Sequence, residues 1–307
     1  MNRYLIHMSY LGTQFRGAQK QVPKAFPDQL DRETIQGNLE IGLRRLRPLN
    51  KPFVVLSSRT DTGVHALHST CHVDLESKSG KPFDSILILS TLNSYFNRCH
   101  LDIRILNVVP VNNRFHARHD AIKRTYFYRI AVTQSTSSLS PLIAFTPVEE
   151  RRRCHFVTTP LDINHIKEAA SLFVGKHDFR TFMETSKSHD KITRKNIDSF
   201  EILPGNSHII QSATEFQPGS IQDYTKYTYW DFVCTARSFL HKQIRRMVGV
   251  LLSVGQGKLT YRDVKFMLQI PSKHSWDTRA VPAPPHGLYL CKVEYRPESL
   301  HNNKLEQ

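Results

Sequence analysis

The stretch Phe53-Val-Val-Leu-Ser-Ser-Arg-Thr-Asp-Thr-Gly-Val-His-Ala-Leu-His-Ser-Thr-Cys-His-Val-Asp-Leu75 reads as two strands in direct succession, at 53–57 and 67–75, joined by a polar turn. Upstream, residues 4–10 read as a strand. Residues 32–46 read as an amphipathic helix with Ile35, Leu39, Leu43 and Leu46 at helical spacing. Downstream, 85–96 reads as a helix and 103–109 as a strand. The order is β-α-β-β-α-β, the split βαβ arrangement.

The second half shows the same order: strand 125–132, helix 163–173, strands 200–203 and 227–236, helix 239–254 and strand 288–295, with an extra helix near 261–269. No residue-level repeat accompanies it. The predicted class is α+β, with two ferredoxin-like domains at 1–110 and 111–296 and a polar, frayed tail at 297–307. Abutting antiparallel sheets are expected, with a basic cleft between them. Irregular connections are expected at 22–31, 134–153, 184–195 and 204–223.

The 307 residues carry 42 Lys and Arg against 27 Asp and Glu, a formal net charge of +15. That balance attracts polyanions, nucleic acid first and an anionic membrane surface second. The charge is unevenly placed. No acid occurs from 232 to 262, while 104–129 holds six bases and the single acid Asp120. Two such stretches point to one shared anionic ligand; solvated surface charge is the bland alternative. No run approaches the roughly 18 apolar residues of a membrane span, and no basic amphipathic surface helix supports a lipid-bound protein. Five scattered cysteines, Cys71, Cys99, Cys154, Cys234 and Cys291, imply a reducing intracellular compartment, cytoplasm or nucleus ahead of mitochondrion. A strand opening at residue 3 is expected to leave no room for a cleavable leader.

In the turn between the first two strands, Arg59, Thr60, Thr62 and His65 surround Asp61. An Asp with Gly63 two residues on is ordinary Asx-turn composition. A carboxylate held by strands on both sides can equally serve as nucleophile or base. The residues alone leave both readings open. His65, His68, Cys71 and His72 have the chemistry of metal ligands. Strand alternation, however, puts His68 and His72 on one face and Cys71 on the other, so no metal is expected.

The run Arg59-Thr-Asp-Thr-Gly-Val-His-Ala66 resembles the catalytic loop of the TruA family of tRNA pseudouridine synthases. Four further blocks are similar to that family and come in its order: Tyr10-x-Gly12-x-x-Phe15-x-Gly17; Phe115-His-Ala-Arg118 followed by Lys123-Arg-Thr-Tyr-Phe-Tyr128; Phe239-Leu-His-Lys-Gln-Ile-Arg-Arg-Met-Val-Gly249; and 283–290, ending Gly287-Leu-Tyr-Leu290. The resemblance implies isomerisation of uridine in tRNA, in the anticodon arm, by a homodimer that needs no metal or organic cofactor. It implies that Asp61 is the essential carboxylate, that Arg59 displaces the target base and that Tyr126 stacks on it. Arg245 would pair with Asp61, and Leu288 would pack beside the base. Arg118 and Arg124, in the base-rich second block, are read as RNA contacts. Where the family commonly has an acid and a tryptophan in its first block, this chain has Leu11 and Ala18. That bears on which RNA is gripped and points toward the eukaryotic pseudouridylate-synthase-like branch.

On a helix from 239, Leu240, Ile244, Met247, Val248 and Leu251 would form the apolar face. At about 100° per residue, Arg245 lies about 115° from its centre, at the core edge, and could turn toward a carboxylate or merely snorkel. Lys242 and Arg246 lie further round and are expected to face water as phosphate contacts. The competing function is a catalytically silent RNA-binding protein of the same fold; retention of Asp61, Tyr126 and Arg245 speaks against it.

Overall fold

The computed structural model describes residues 1–22, 25–26, 29–133, 148–184, 192–206 and 227–300. The connections expected at 134–153, 184–195 and 204–223 fall largely outside the described residues, and those at 22–31 and the tail do so in part. In chain order the elements are β1 (Asn2–Tyr10), α1 (Ile35–Leu43), β2 (Val55–Leu56), β3 (His65–Leu75), α2 (Ser85–Arg98), β4 (Ile103–Val111) and β5 (Ala121–Thr133). There follow β6 (His155–Val157), α3 (Ile163–Ser171), β7 (Gly175–Asp178), β8 (Arg194–Gly205), β9 (Tyr227–Ala236), α4 (Gln243–Gly255), α5 (Tyr261–Gln269), β10 (Leu288–Tyr295) and α6 (Pro297–Leu300). The class is α+β, with mostly antiparallel strand pairing.

Two compact units are formed, one from residues 1–125 with those from 289 onward, the other from 126–288. Element order had drawn the segments at 1–110 and 111–296. The units instead divide inside β5, and all but the first residue of β10 belongs with the first. In the first unit β1 lies between β4 and β3, antiparallel to both. The far edge of β3 is shared. Its C-terminal half takes β2, at Val55 opposite His72, and its N-terminal end takes β10 in parallel, at Tyr289 opposite His65. As the inner strand, β1 is buried on both faces, through Tyr4, Leu5, Ile6, Met8 and Tyr10. The tail departs from its reading: 297–300 forms a helical turn, and Leu300 packs on the cluster of Leu5, Val111, Phe115 and Ala117.

Local sequence sets the helix starts. Thr34, Asp84 and Asp162 cap α1, α2 and α3 by accepting from backbone N–H groups. Thr260 and Asp263 form a reciprocal capping box on α5. Each cap is worth about 1 kcal/mol. Buried polar groups on α1 are paired: Glu40 accepts from Gln36, from Val54 N and from Lys20.

In the second unit the strand order is β5–β9–β8–β7, and β6 adds to β5 in parallel. Arg129 on β5 and Asp231 on β9 join through two bonds of 2.8 Å. The short strands β6 and β7 were not read from sequence. Helix α4 begins at Gln243, not at 239, because Lys242 adopts a left-handed φ of 58° and breaks the helical path. Every α4 residue except Arg245 and Arg246 is buried. It is a core helix, not a surface helix with one apolar stripe.

Candidate active site

In the first unit, the turn between β2 and β3 is built against the segment that follows β1. Gly12 packs so closely that a Cβ there would lie 1.9 Å from the Val64 carbonyl oxygen. The Gly12 N–H donates to His65 Nδ1 at 3.0 Å, so a neutral His65 carries its proton on Nε2. Its ring lies 4.6 Å from that of Tyr289. Tyr10 OH and Thr60 Oγ1 share a bond of 2.8 Å, and Ala18 N donates to the Thr60 carbonyl at 3.0 Å. Thr62 Oγ1 donates to the Arg16 carbonyl at 2.8 Å, and Val64 N to the Asp61 carbonyl at 3.1 Å. Both residues flanking Asp61 are therefore fixed, while Asp61 itself is half-buried. Arg59 is exposed and donates to Gln19 Oε1 at 3.2 Å. The first two sequence blocks are one physical object, a loop and its brace.

Arg118 is exposed, whereas Arg124 is buried and donates to Ser58 Oγ, the Ser57 carbonyl and the Arg118 carbonyl. Arg124 is thus an internal clamp, correcting its reading as an RNA contact. Base-rich composition does not reveal which base turns inward.

In the second unit, Tyr126 on β5 is 7% exposed, with its ring edge-on to Phe239 at 5.3 Å. Two positions on, Tyr128 is fully buried and donates to the Pro284 carbonyl at 2.8 Å. Arg245 Nε donates to the Ala283 carbonyl at 2.8 Å, while Ala283 N donates back to the Arg245 carbonyl at 2.9 Å. One turn later, a Cβ on Gly249 would stand 2.1 Å from the Val281 carbonyl oxygen. The 281–283 segment therefore rests directly on α4 and is gripped by Arg245. Leu288 is buried where this segment enters β10.

The outward placement of Arg246 needs correction, whereas Lys242 is partly exposed. Lys242 precedes the helix and pairs with Glu184 Oε1 at 3.2 Å. The Arg246 side chain is only 14% exposed, its guanidinium lies 3.8 Å from the Trp276 ring centroid, and Glu184 is 4.0 Å away. The helix starts at Gln243 and not at 239, and nothing in the spacing of its residues points to Trp276 or Glu184. We expect Arg246→Ala to cost about 1–2 kcal/mol of stability through the lost stacking. The salt dependence of the RNA binding that the resemblance implies should stay unchanged, whereas Lys242→Ala should flatten it by about one unit. Chemical denaturation and filter binding across salt concentrations check both; a flattened slope for Arg246→Ala with intact stability would reverse the assignment.

Histidines 65 and 72 each accept a bond from a backbone N–H, and His68 pairs with His7. Among the described residues, no group of three or more His, Cys, Asp or Glu is placed to hold a metal ion, and no helix is long and apolar enough to cross a membrane.

A carboxylate on a loop braced at both flanks, in a strongly basic α+β chain, fits an enzyme that works on a nucleic acid. A family model described as tRNA pseudouridine synthase matches residues 169–296. Over nearly the whole chain there is similarity to the tRNA pseudouridine synthase-like 1 of Xenopus laevis, 34% identical and covering 99% of this chain and 95% of that protein. The Homo sapiens protein of the same name is 33% identical, covering 95% and 90%. The tRNA pseudouridine synthase A of Thermus thermophilus is 32% identical, covering 98% and 99%. The chain belongs to the TruA family of tRNA pseudouridine synthases and is an isomerase of that type.

Proposed function

We propose that this protein isomerises uridine to pseudouridine in the anticodon arm of tRNA, acting as a homodimer. The observation that carries the reading is the braced Asp61 loop, in a chain similar along its length to proteins named tRNA pseudouridine synthase. The reaction cleaves C1′–N1, turns the freed uracil and joins C1′ to C5; the C5 proton leaves to solvent and N1 gains one. No electrons are exchanged with a partner. A fixed carboxylate supplies what this needs, an ionised group at the sugar or base while the glycosidic bond is open. Asp61 takes that role and Arg59, exposed beside it, helps displace the base.

The second unit serves the same reaction through Tyr126, an aromatic residue of the kind that stacks on an unstacked base, and through Arg245 and Leu288. Arg245 grips the 281–283 segment, which leads through 284–287 to Leu288, and this supports a shared task for the two. Arg118 and Lys242 contribute phosphate contacts. Each unit is read as a split βαβ module, supported by the order β4–β1–β3–β2 in the first and β5–β9–β8 in the second. Five scattered cysteines suit a reducing intracellular compartment.

The test is tritium release from tRNA transcripts carrying C5-labelled uridine, followed by mapping of the modified position. Release confined to anticodon-arm uridines supports the proposal. Binding of tRNA with no release from any substrate would favour the silent RNA-binding alternative.

A further inference from the structure

We propose that Arg124 is a positioning residue for the isomerisation, holding the strand end from which the Asp61 loop departs. This rests on the reading of Asp61 as the working carboxylate. Although its charge is permanent, Arg124 is only 7% exposed. Its Nε donates to Ser58 Oγ at 2.8 Å. One terminal nitrogen donates to the Ser57 carbonyl at 2.8 Å and to the Arg118 carbonyl at 2.9 Å. Ser57 and Ser58 immediately precede Arg59, and Ser57 N is tied to the Thr70 carbonyl at 2.9 Å. The near margin of the loop is thereby set by Arg124, with Tyr10 and Ala18 holding Thr60, while Gly12 holds the far margin at Val64 and His65.

The clamp stands on a firm base. Tyr295 OH donates to the Ala117 carbonyl at 2.8 Å and bonds Thr70 Oγ1 at 2.6 Å. Arg3 donates to the Phe115 carbonyl at 2.6 Å. His72 Nδ1 accepts from Ala117 N at 3.0 Å, and burial lowers the imidazole pKa to about 4, so the ring stays neutral and accepting at working pH. The 115–118 turn, read from sequence only as a motif block, is the platform against which Arg124 braces. A guanidinium suits the task because its planar fork reaches several fixed acceptors at once. A lysine ammonium at the end of a flexible stem cannot span the same three.

The experiment compares Arg124→Lys, Ser58→Ala and the double variant by tritium release, well below their melting temperatures and normalised to folded protein. Arg124→Lys should lower kcat by about 30–100-fold with KM within about threefold, the scale of a loop misplaced by about 1 Å. Ser58→Ala should give a smaller loss, and the double variant should resemble Arg124→Lys alone, since the two side chains share one bond. The salt slope of tRNA binding should not move. Wild-type kcat in Arg124→Lys would overturn the inference. So would additive losses in the double variant. Asp61→Asn in the same assay separates the two claims. If it remains active, the site reading fails and this inference with it. If it is inactive while Arg124→Lys runs at full rate, only the positioning role is lost.

Discussion

Asp61→Asn should leave a folded protein that binds tRNA and does not isomerise uridine. The substitution keeps size and shape and removes only the charge. The bonds fixing the loop run through Thr60, Thr62, His65 and the Asp61 carbonyl, all of which an asparagine preserves. Asp61 is also the only acid between residues 53 and 73, so no neighbour in that stretch can substitute for it. We expect kcat to fall by at least about a thousandfold, as when the group that does the bond-making is lost. Affinity for tRNA should stay within a few-fold, because phosphate contacts dominate RNA binding and Asp61 offers none. Single-turnover tritium release with excess enzyme measures the first, filter binding the second. Turnover within tenfold of wild type by homogeneous mutant protein would remove Asp61 from the chemistry.

The sequence was most legible where hydrophobic period and burial coincide. Strand 227–236 and helix 261–269 were read at their true bounds, because β9 alternates buried and less buried positions from Asp231 to Ala236 and α5 opens on a Thr–Asp capping box. It was least legible where tertiary contacts override local pattern. β6 and β7 are three and four residues long, too short to show a period, and exist through pairing with β5 and β8. Helix α4 looked amphipathic because Arg245 and Arg246 interrupt its apolar run. Yet one arginine is spent on a carbonyl and the other on an indole, and the helix is buried nearly all round.

The candidate site divides the same way. The identities Arg59, Asp61, Tyr126 and Arg245 could be nominated from motif order, because residue type carries the chemistry. Which bases face solvent could not, because that depends on partners distant in sequence: Ser57 and Ser58 for Arg124, Trp276 for Arg246. Gln19, the partner of Arg59, lies just past the first block and carried no signal.

Gly12→Ala should be nearly as damaging to turnover as many substitutions of reacting groups, although Gly12 touches no substrate in this reading. The added Cβ would stand 1.9 Å from the Val64 carbonyl oxygen, 2.7 Å from its carbon and 3.1 Å from its nitrogen. All three are backbone atoms, so no side chain can swing aside. Either the segment after β1 or the loop bearing Asp61 must retreat by about 1.5 Å to restore ordinary contact. Retreat also strains the Gly12–His65 bond and those from Ala18 and Thr62, which close the same interface. Overpacking of this kind costs about 1–3 kcal/mol of stability. A displacement of about 1 Å at the reacting carboxylate is worth about a hundredfold in rate. The expected result, at a temperature where circular dichroism shows the variant fully folded, is kcat lowered by about two orders of magnitude with tRNA affinity close to wild type. That split matters, because a variant that was merely less stable would lose active fraction and not rate per folded molecule. Wild-type kcat in folded Gly12→Ala would mean that the loop tolerates the shift, and that its bracing does not set the position of Asp61.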